Sequence, residues 1–146
     1  MEKVRDLLNV KGRHVAKCEQ SCTLGESAAQ MSSEDVGSLL VHDGGELKGI
    51  LTWHDLLRAL ARHPEDAGTR PVSDFMTTEL ITTTEDADYS EVADKMVSGH
   101  VRHVPVMDGN TVVGVVDRID VVARQFRQSE EKTDDLEAYI RGTYPS

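Results

Sequence analysis

Gly37-Ser38-Leu39-Leu40-Val41-His42-Asp43-Gly44-Gly45-Glu46-Leu47-Lys48-Gly49-Ile50-Leu51-Thr52-Trp53-His54-Asp55-Leu56-Leu57 decides the fold, because its pattern occurs twice. When Asp35–Leu60 is set over His100–Gln125, 65 residues later, the register holds for 26 positions without a gap. Six positions are identical: Val36/Val101, Val41/Val106, Asp43/Asp108, Gly44/Gly109, Gly49/Gly114 and Asp55/Asp120. Six more exchange one aliphatic residue for another, among them Ile50/Val115, Leu51/Val116, Leu56/Val121 and Leu57/Val122. The same offset carries Ala28 onto Ala93 and Met31 onto Met96. Upstream, Val4-Arg5-Asp6-Leu7-Leu8 matches Val72-Ser73-Asp74-Phe75-Met76 at an offset of 68, so the first copy carries three extra residues, expected in a loop around Asn9–Arg13. An internal repeat of this length is one supersecondary unit built twice, each copy burying its apolar face against neighbours.

Each copy reads alike. A short helical turn (Val4–Leu8; Val72–Met76) leads into a strand (His14–Cys18; Glu79–Thr82). A helix follows, Gly25–Ser32 or Tyr89–Ser98, the latter with Val92, Ala93, Met96 and Val97 at helical spacing. Two strands then flank an Asp-Gly turn: Ser38–Val41 with Leu47–Leu51, and His103–Val106 with Thr111–Val116. Asp43-Gly44 and Asp108-Gly109 are the expected positive-φ residues of these hairpins. Trp53–Ala61 and Arg118–Phe126 close the copies as helices. The expected fold is therefore α/β (α+β), two β-α-β-β-α repeats. The expected division is 1–62, a connecting loop 63–71, a second repeat 72–126, and a polar tail 127–146 with room for a short helix at Leu136–Ile140.

Composition narrows the function. The chain has 146 residues and a net charge of −10, from 16 Lys and Arg against 26 Asp and Glu. That sign repels nucleic acid and anionic lipid. The one local basic cluster is Gly99-His100-Val101-Arg102-His103, room enough for a small phosphate site. No apolar run approaches the roughly 18–20 residues of a membrane span, and Met1–Asp6 has no signal-peptide core, so a cytoplasmic protein is expected. Cys18 and Cys22 lack partners at zinc spacing and read as plain thiols. The six histidines are scattered, and the sequence has neither a nucleophile–base set nor a Walker-type phosphate loop. No catalytic residue, metal site or required cofactor is therefore expected.

In order and duplicated, these motifs resemble a tandem pair of cystathionine-β-synthase (CBS) domains, especially the small bacterial proteins that consist of a CBS pair alone. The residues that carry the resemblance are Val4–Leu8, Gly49-Ile50-Leu51-Thr52-Trp53-His54-Asp55, Val72–Thr77, Arg102–Val106 and Gly114-Val115-Val116-Asp117-Arg118-Ile119-Asp120. The resemblance implies a regulatory module whose two copies pack about a pseudo-two-fold axis. It implies two clefts that often hold an adenosine-containing ligand, of the kind of AMP, ADP, ATP, NAD or S-adenosylmethionine. It also implies a homodimer, and signalling to a separate, unidentified protein partner or through oligomer state. In the resembling family Thr52 and Asp55 sit where phosphate and ribose are held, and Asp120 takes the ribose position of the second copy. Arg102 and His103, which precede Val104-Pro105-Val106, stand where the family often places basic phosphate contacts, and Pro105 is a ligand-binding candidate beside them. Asp117 stands where the family usually has Ser or Thr, and its carboxylate repels a phosphate. The second cleft is thus expected to suit a neutral or cationic adenosyl ligand, or none.

The chemistry agrees with the resemblance without requiring it. A helix that starts after Thr52 turns free N–H groups outward, which favours an anion, and a carboxylate at Asp55 offers two acceptors to a ribose diol. Thr-x-x-Asp is equally a capping box, and Asp117 is a good N-cap, so both motifs also serve simply to start helices. Trp53 is expected to pack the start of its helix. Leu56, Leu57, Leu60, Val121 and Val122 form an apolar stripe on each closing helix, part of it core and the rest a candidate dimer surface. A ligand-free interaction module is the alternative function.

Overall fold

The computed structural model describes residues 2–140. The first repeat comprises β1 (Lys17–Glu19), α2 (Leu24–Glu34), β2 (Ser38–Asp43), β3 (Glu46–Thr52) and α3 (Trp53–Arg62). It is preceded by α1 (Val4–Lys11) and followed by two 3-10 turns, Ala67–Thr69 and Val72–Asp74. The second repeat comprises α4 (Tyr89–Gly99), β4 (His103–Asp108), β5 (Thr111–Asp117) and α5 (Arg118–Ile140). β1 runs parallel to β2, and β2 antiparallel to β3; β4 and β5 form a separate antiparallel pair.

The repeat seen in the sequence recurs in the hairpins and in the turns that flank them. Ser38 lies opposite Thr52 as His103 lies opposite Asp117, and each hairpin is interrupted at the same place, after Val41 and after Val106. Asp35 and His100, the C-caps of α2 and α4, both adopt φ +53°. The Trp53 N–H donates to the Gly37 carbonyl, as the Arg118 N–H donates to that of Arg102.

Four sequence expectations are corrected. The strand expected at Glu79–Thr82 is absent; the second repeat keeps only a bridge between Thr83 and Val106, the positions equivalent to Cys18 and Val41. The cause is Pro105. Its counterpart Leu40 donates its N–H to the Ala16 carbonyl at 2.9 Å, a rung that proline cannot make. The three extra residues of the first copy do not form a loop; they are absorbed by α1, which runs on to Lys11. The positive-φ residues of the first hairpin are Gly44 (+59°) and Gly45 (+89°), a type I′ pattern, and that of the second is Gly109 (+59°); Asp43 and Asp108 end their strands. In addition, the closing helix does not stop at Phe126 but continues to Ile140. No Gly or Pro intervenes after Arg118, and Gln, Glu, Lys and Ala keep the segment helical. Residues 141–146 of the expected tail lie outside the described residues.

The lead segments are exchanged between the repeats. Val4, Leu7 and Leu8 of α1 are buried with Tyr89, Val92, Val104 and Val116 in the core of the second repeat. Val72, with Phe75 and Met76 partly buried beside it, completes the core of the first. The conserved spacing of glycine in the two copies has its physical reason here. A Cβ on Gly49 would stand 2.8 Å from Met76 Sδ and from the Thr77 carbonyl, and one on Gly114 2.8 Å from Leu8 Cδ2. Ion pairs tie the same segment down: Lys3 to Asp88, Arg5 to Asp86, Arg13 to Glu85, and Arg124 to Glu2.

Candidate functional site

Exchange of the lead segments creates a cleft between the repeats, of about 390 Å³. One wall is the start of α3, with Thr52, Trp53, Asp55 and Arg58; the other is the turn after α4 and the start of β4, with His100, Arg102, His103 and Pro105. Its floor is the segment from Thr77 to Ile81, held by two 2.9 Å backbone hydrogen bonds between Ile50 and Thr77. Because Pro105 removes a ladder rung, this segment stays irregular and can line the cleft. Five sequence candidates therefore share one cavity: Thr52 and Asp55 from the first repeat, Arg102, His103 and Pro105 from the second.

Asp55 is the buried acid of the cleft, only 3 % exposed. Its Oδ2 accepts the Thr52 N–H at 2.8 Å and the Thr52 hydroxyl at 3.2 Å, while the Asp55 N–H donates back to Thr52 Oγ1 at 3.3 Å. That is a complete capping box. The other oxygen, Oδ1, is paired with Arg58, one helical turn on. Both carboxylate oxygens are thus engaged by groups of the chain itself.

Charge of both signs meets in this cleft, where Asp55 and Glu79 face the two arginines. Arg58 and Arg102 supply fixed positive charge, and Arg102 lies over the Trp53 ring at 6.0 Å. Trp53 is 44 % exposed and faces the cleft instead of packing the helix start into the core. His103 supplies no fixed charge. Burial pushes its imidazole below the ordinary histidine value, with Lys11 and Arg102 adding to the shift and Asp117 and Asp120 opposing it. Its Nδ1 is buried without a hydrogen-bond partner, and a Cβ on Gly37 would meet its Nε2 at 3.4 Å.

Asp117 and Asp120 lie apart from this cleft. They form the corresponding reciprocal cap of α5: the Asp117 N–H donates to Asp120 Oδ2 at 2.9 Å and the Asp120 N–H to Asp117 Oδ1 at 3.0 Å. Lys11 reaches both carboxylates. Sequence reading missed Arg58 and Lys11. Arg58 had a local signal, its i+3 spacing from Asp55. Lys11 had none, being 109 residues from Asp120.

Other chemistry is sparse. Cys18 and Cys22 are free thiols, and burial raises the Cys18 thiol to about 12, far from a reactive thiolate. Among the described residues no group of three or more His, Cys, Asp or Glu is placed to hold a metal ion, and no helix is long and apolar enough to cross a membrane.

Comparison with known proteins gives one consistent result. The CBS domain model matches residues 4–62 and again 72–126. The CBS domain-containing protein YhcV of Bacillus subtilis is 30 % identical over 126 residues, 86 % of this chain and 87 % of that protein. The mitochondrial CBS domain-containing protein CBSX3 of Arabidopsis thaliana is 30 % identical over 150 residues, 97 % of this chain and 73 % of that protein. The crystal structure of the CBS-domain containing protein ATU1752 from Agrobacterium tumefaciens superposes with a TM-score of 0.82 at 30 % identity, covering 85 % of this chain and 99 % of that one. The CBS domain pair of protein MJ0100, solved in complex with 5′-methylthioadenosine and S-adenosyl-L-methionine, superposes with a TM-score of 0.77 at 28 % identity, covering 88 % and 98 %.

Proposed function

The chain belongs to the CBS-domain family as a tandem pair, and from that premise we propose that it is a regulatory module whose first cleft senses an adenosine-containing ligand. One observation carries the reading: Thr52 and Asp55 of one repeat face Arg102 and His103 of the other across a single cavity of nucleotide dimensions, about 390 Å³. A hydroxyl at a helix start, a buried carboxylate and two guanidinium groups match phosphate and ribose together. The adenosyl compounds bound by the MJ0100 pair support this ligand class. Arg58 and Arg102 favour a phosphate-bearing member such as AMP, ADP, ATP or NAD in this cleft.

A panel of AMP, ADP, ATP, NAD and S-adenosylmethionine in a thermal-shift assay tests the reading. A ligand at 100 times its dissociation constant adds about 2.7 kcal/mol, a rise in melting temperature of roughly 5–10 °C for a chain of this size. No shift with any of the five would turn the assignment to the second reading, a ligand-free interaction module. That reading draws on the capping box at Thr52–Asp55, which gives those residues a structural purpose of their own.

As a module, the protein passes its signal to a separate partner or through its oligomer state. Leu57 and Leu60 on α3, and Ile119, Val122 and Phe126 on α5, are exposed. We assign this stripe to a homodimer, because apolar side chains aligned on two helices are best buried by a second copy. Light scattering is expected to find a dimer at high micromolar concentration, and Leu57→Glu with Val122→Glu to return it to monomer.

A further inference from the structure

One contact crosses the cleft from repeat to repeat: the Arg102 guanidinium carbon stands 6.0 Å from the centre of the Trp53 ring. Both residues line the cavity, and both backbones are pinned by the same hydrogen bond of the repeat. The Trp53 N–H donates to the Gly37 carbonyl at 3.2 Å, and the Arg102 carbonyl accepts the Arg118 N–H at 2.8 Å. At the 65-residue offset, Gly37 and Trp53 of the first repeat correspond to Arg102 and Arg118 of the second. The contact is thus built on a difference between the copies, an aromatic ring in one and an arginine in the other. The two guanidinium groups of the cleft also differ in their partners. Arg58 is paired with Asp55, which offsets its charge. Arg102 forms no ion pair among the described residues, although the chain carries 26 Asp and Glu.

We propose that Trp53 is a positioning residue for phosphate recognition: its ring holds the Arg102 guanidinium at the cavity with its charge uncompensated, so that the cleft prefers a phosphate-bearing adenosyl compound to the bare nucleoside. The inference rests on the adenosyl-binding reading given above and adds to it the group that sets the phosphate preference. A ring quadrupole attracts a cation without cancelling its charge, whereas a carboxylate partner does cancel it. Arg102 therefore remains available to an anion in a way that Arg58 is not while Asp55 holds it. An exposed arginine with no such contact spreads over many rotamers and loses that freedom when it binds. Trp53 removes part of this cost beforehand, because the ring and the guanidinium come from different repeats and each backbone is fixed by its own hydrogen bond. The contact persists in the complex, with the phosphate taking N–H groups that no side chain of the protein occupies.

Calorimetric titration of the whole chain with AMP and with adenosine tests this. Trp53→Leu is expected to lower the ratio of AMP affinity to adenosine affinity roughly 2- to 10-fold, the cost of ordering one long side chain afresh. Trp53→Phe, which keeps a ring, should retain most of the ratio. In an Arg102→Gln background the same Trp53→Leu should leave the ratio unchanged, because no cation is left to position. Trp53 is exposed and outside both cores, and Trp53→Gln provides a second variant should Trp53→Leu fail to give a cooperative melting transition. An equal loss for both compounds, or a ratio that falls as far in the Arg102→Gln background, would show that Trp53 acts on the ligand directly. Either result, or an unchanged ratio in a folded Trp53→Leu, would overturn the inference while leaving the cleft's assignment intact. Failure of the unmodified protein to bind either compound would instead sink the adenosyl reading itself, and this inference with it.

Discussion

Asp55→Ala is expected to weaken adenosine binding by roughly 10- to 150-fold, the 1.5–3 kcal/mol of hydrogen bonds to a buried charged acceptor. The loss for AMP should be smaller. Removing the carboxylate frees Arg58, its partner, and a freed guanidinium that lines the same cleft as Thr52 is available to the phosphate. The two ligands measured side by side by calorimetry therefore separate ribose recognition from phosphate recognition. Asp55→Ala also removes one half of the capping box, a stability cost of about 1 kcal/mol, so titration belongs well below the variant's melting temperature. Asp55→Asn keeps an acceptor for the Thr52 N–H and should recover most of the stability but little of the affinity. Unchanged affinity for both ligands in Asp55→Ala would remove Asp55 from the site.

The largest effect on stability is expected at Leu8. Leu8→Ala should cost about 2–5 kcal/mol, the range for emptying a fully buried leucine site, and lower the melting temperature by roughly 5–20 °C. Leu8 lies in the first copy of the sequence repeat, yet the damage should appear in the second. Its cavity opens against Gly114 and among Val104, Val106 and Val116. Amide exchange is expected to accelerate in β4 and β5 before β2 and β3. Val10→Ala, on the exposed face of the same helix, should stay within about 0.5 kcal/mol and so controls for helix propensity. A Leu8→Ala as mild as Val10→Ala would show that α1 is dispensable to the second core.

Some of the protein is written locally. Short aliphatic runs, turn glycines and a 65-residue offset place two hairpins and four helices close to where they stand, because these signals act over one turn or one rung. Thr52–Asp55 is equally local, and both of its readings, cap and ligand contact, were visible together. The truncated first strand of the second repeat was also legible in principle. Pro105 in place of Leu40 removes one N–H, and only the unknown pairing partner hid the consequence.

By itself, then, the sequence determined the repeat, its order of elements, the family it points to and the residues of one helix start. Only the tertiary structure decided which lead segment completes which core, and that Lys11 rather than a residue of α5 pairs with Asp120. It also decided that the cluster around Arg102 shares a cleft with Asp55, and that Trp53 opens onto it. The reason is the same in each case. Periodicity and capping record interactions between residues a few positions apart. Burial of Leu8 against Gly114 and the meeting of Lys11 with Asp120 join residues more than 100 positions apart, and nothing in the chain near either partner marks the other.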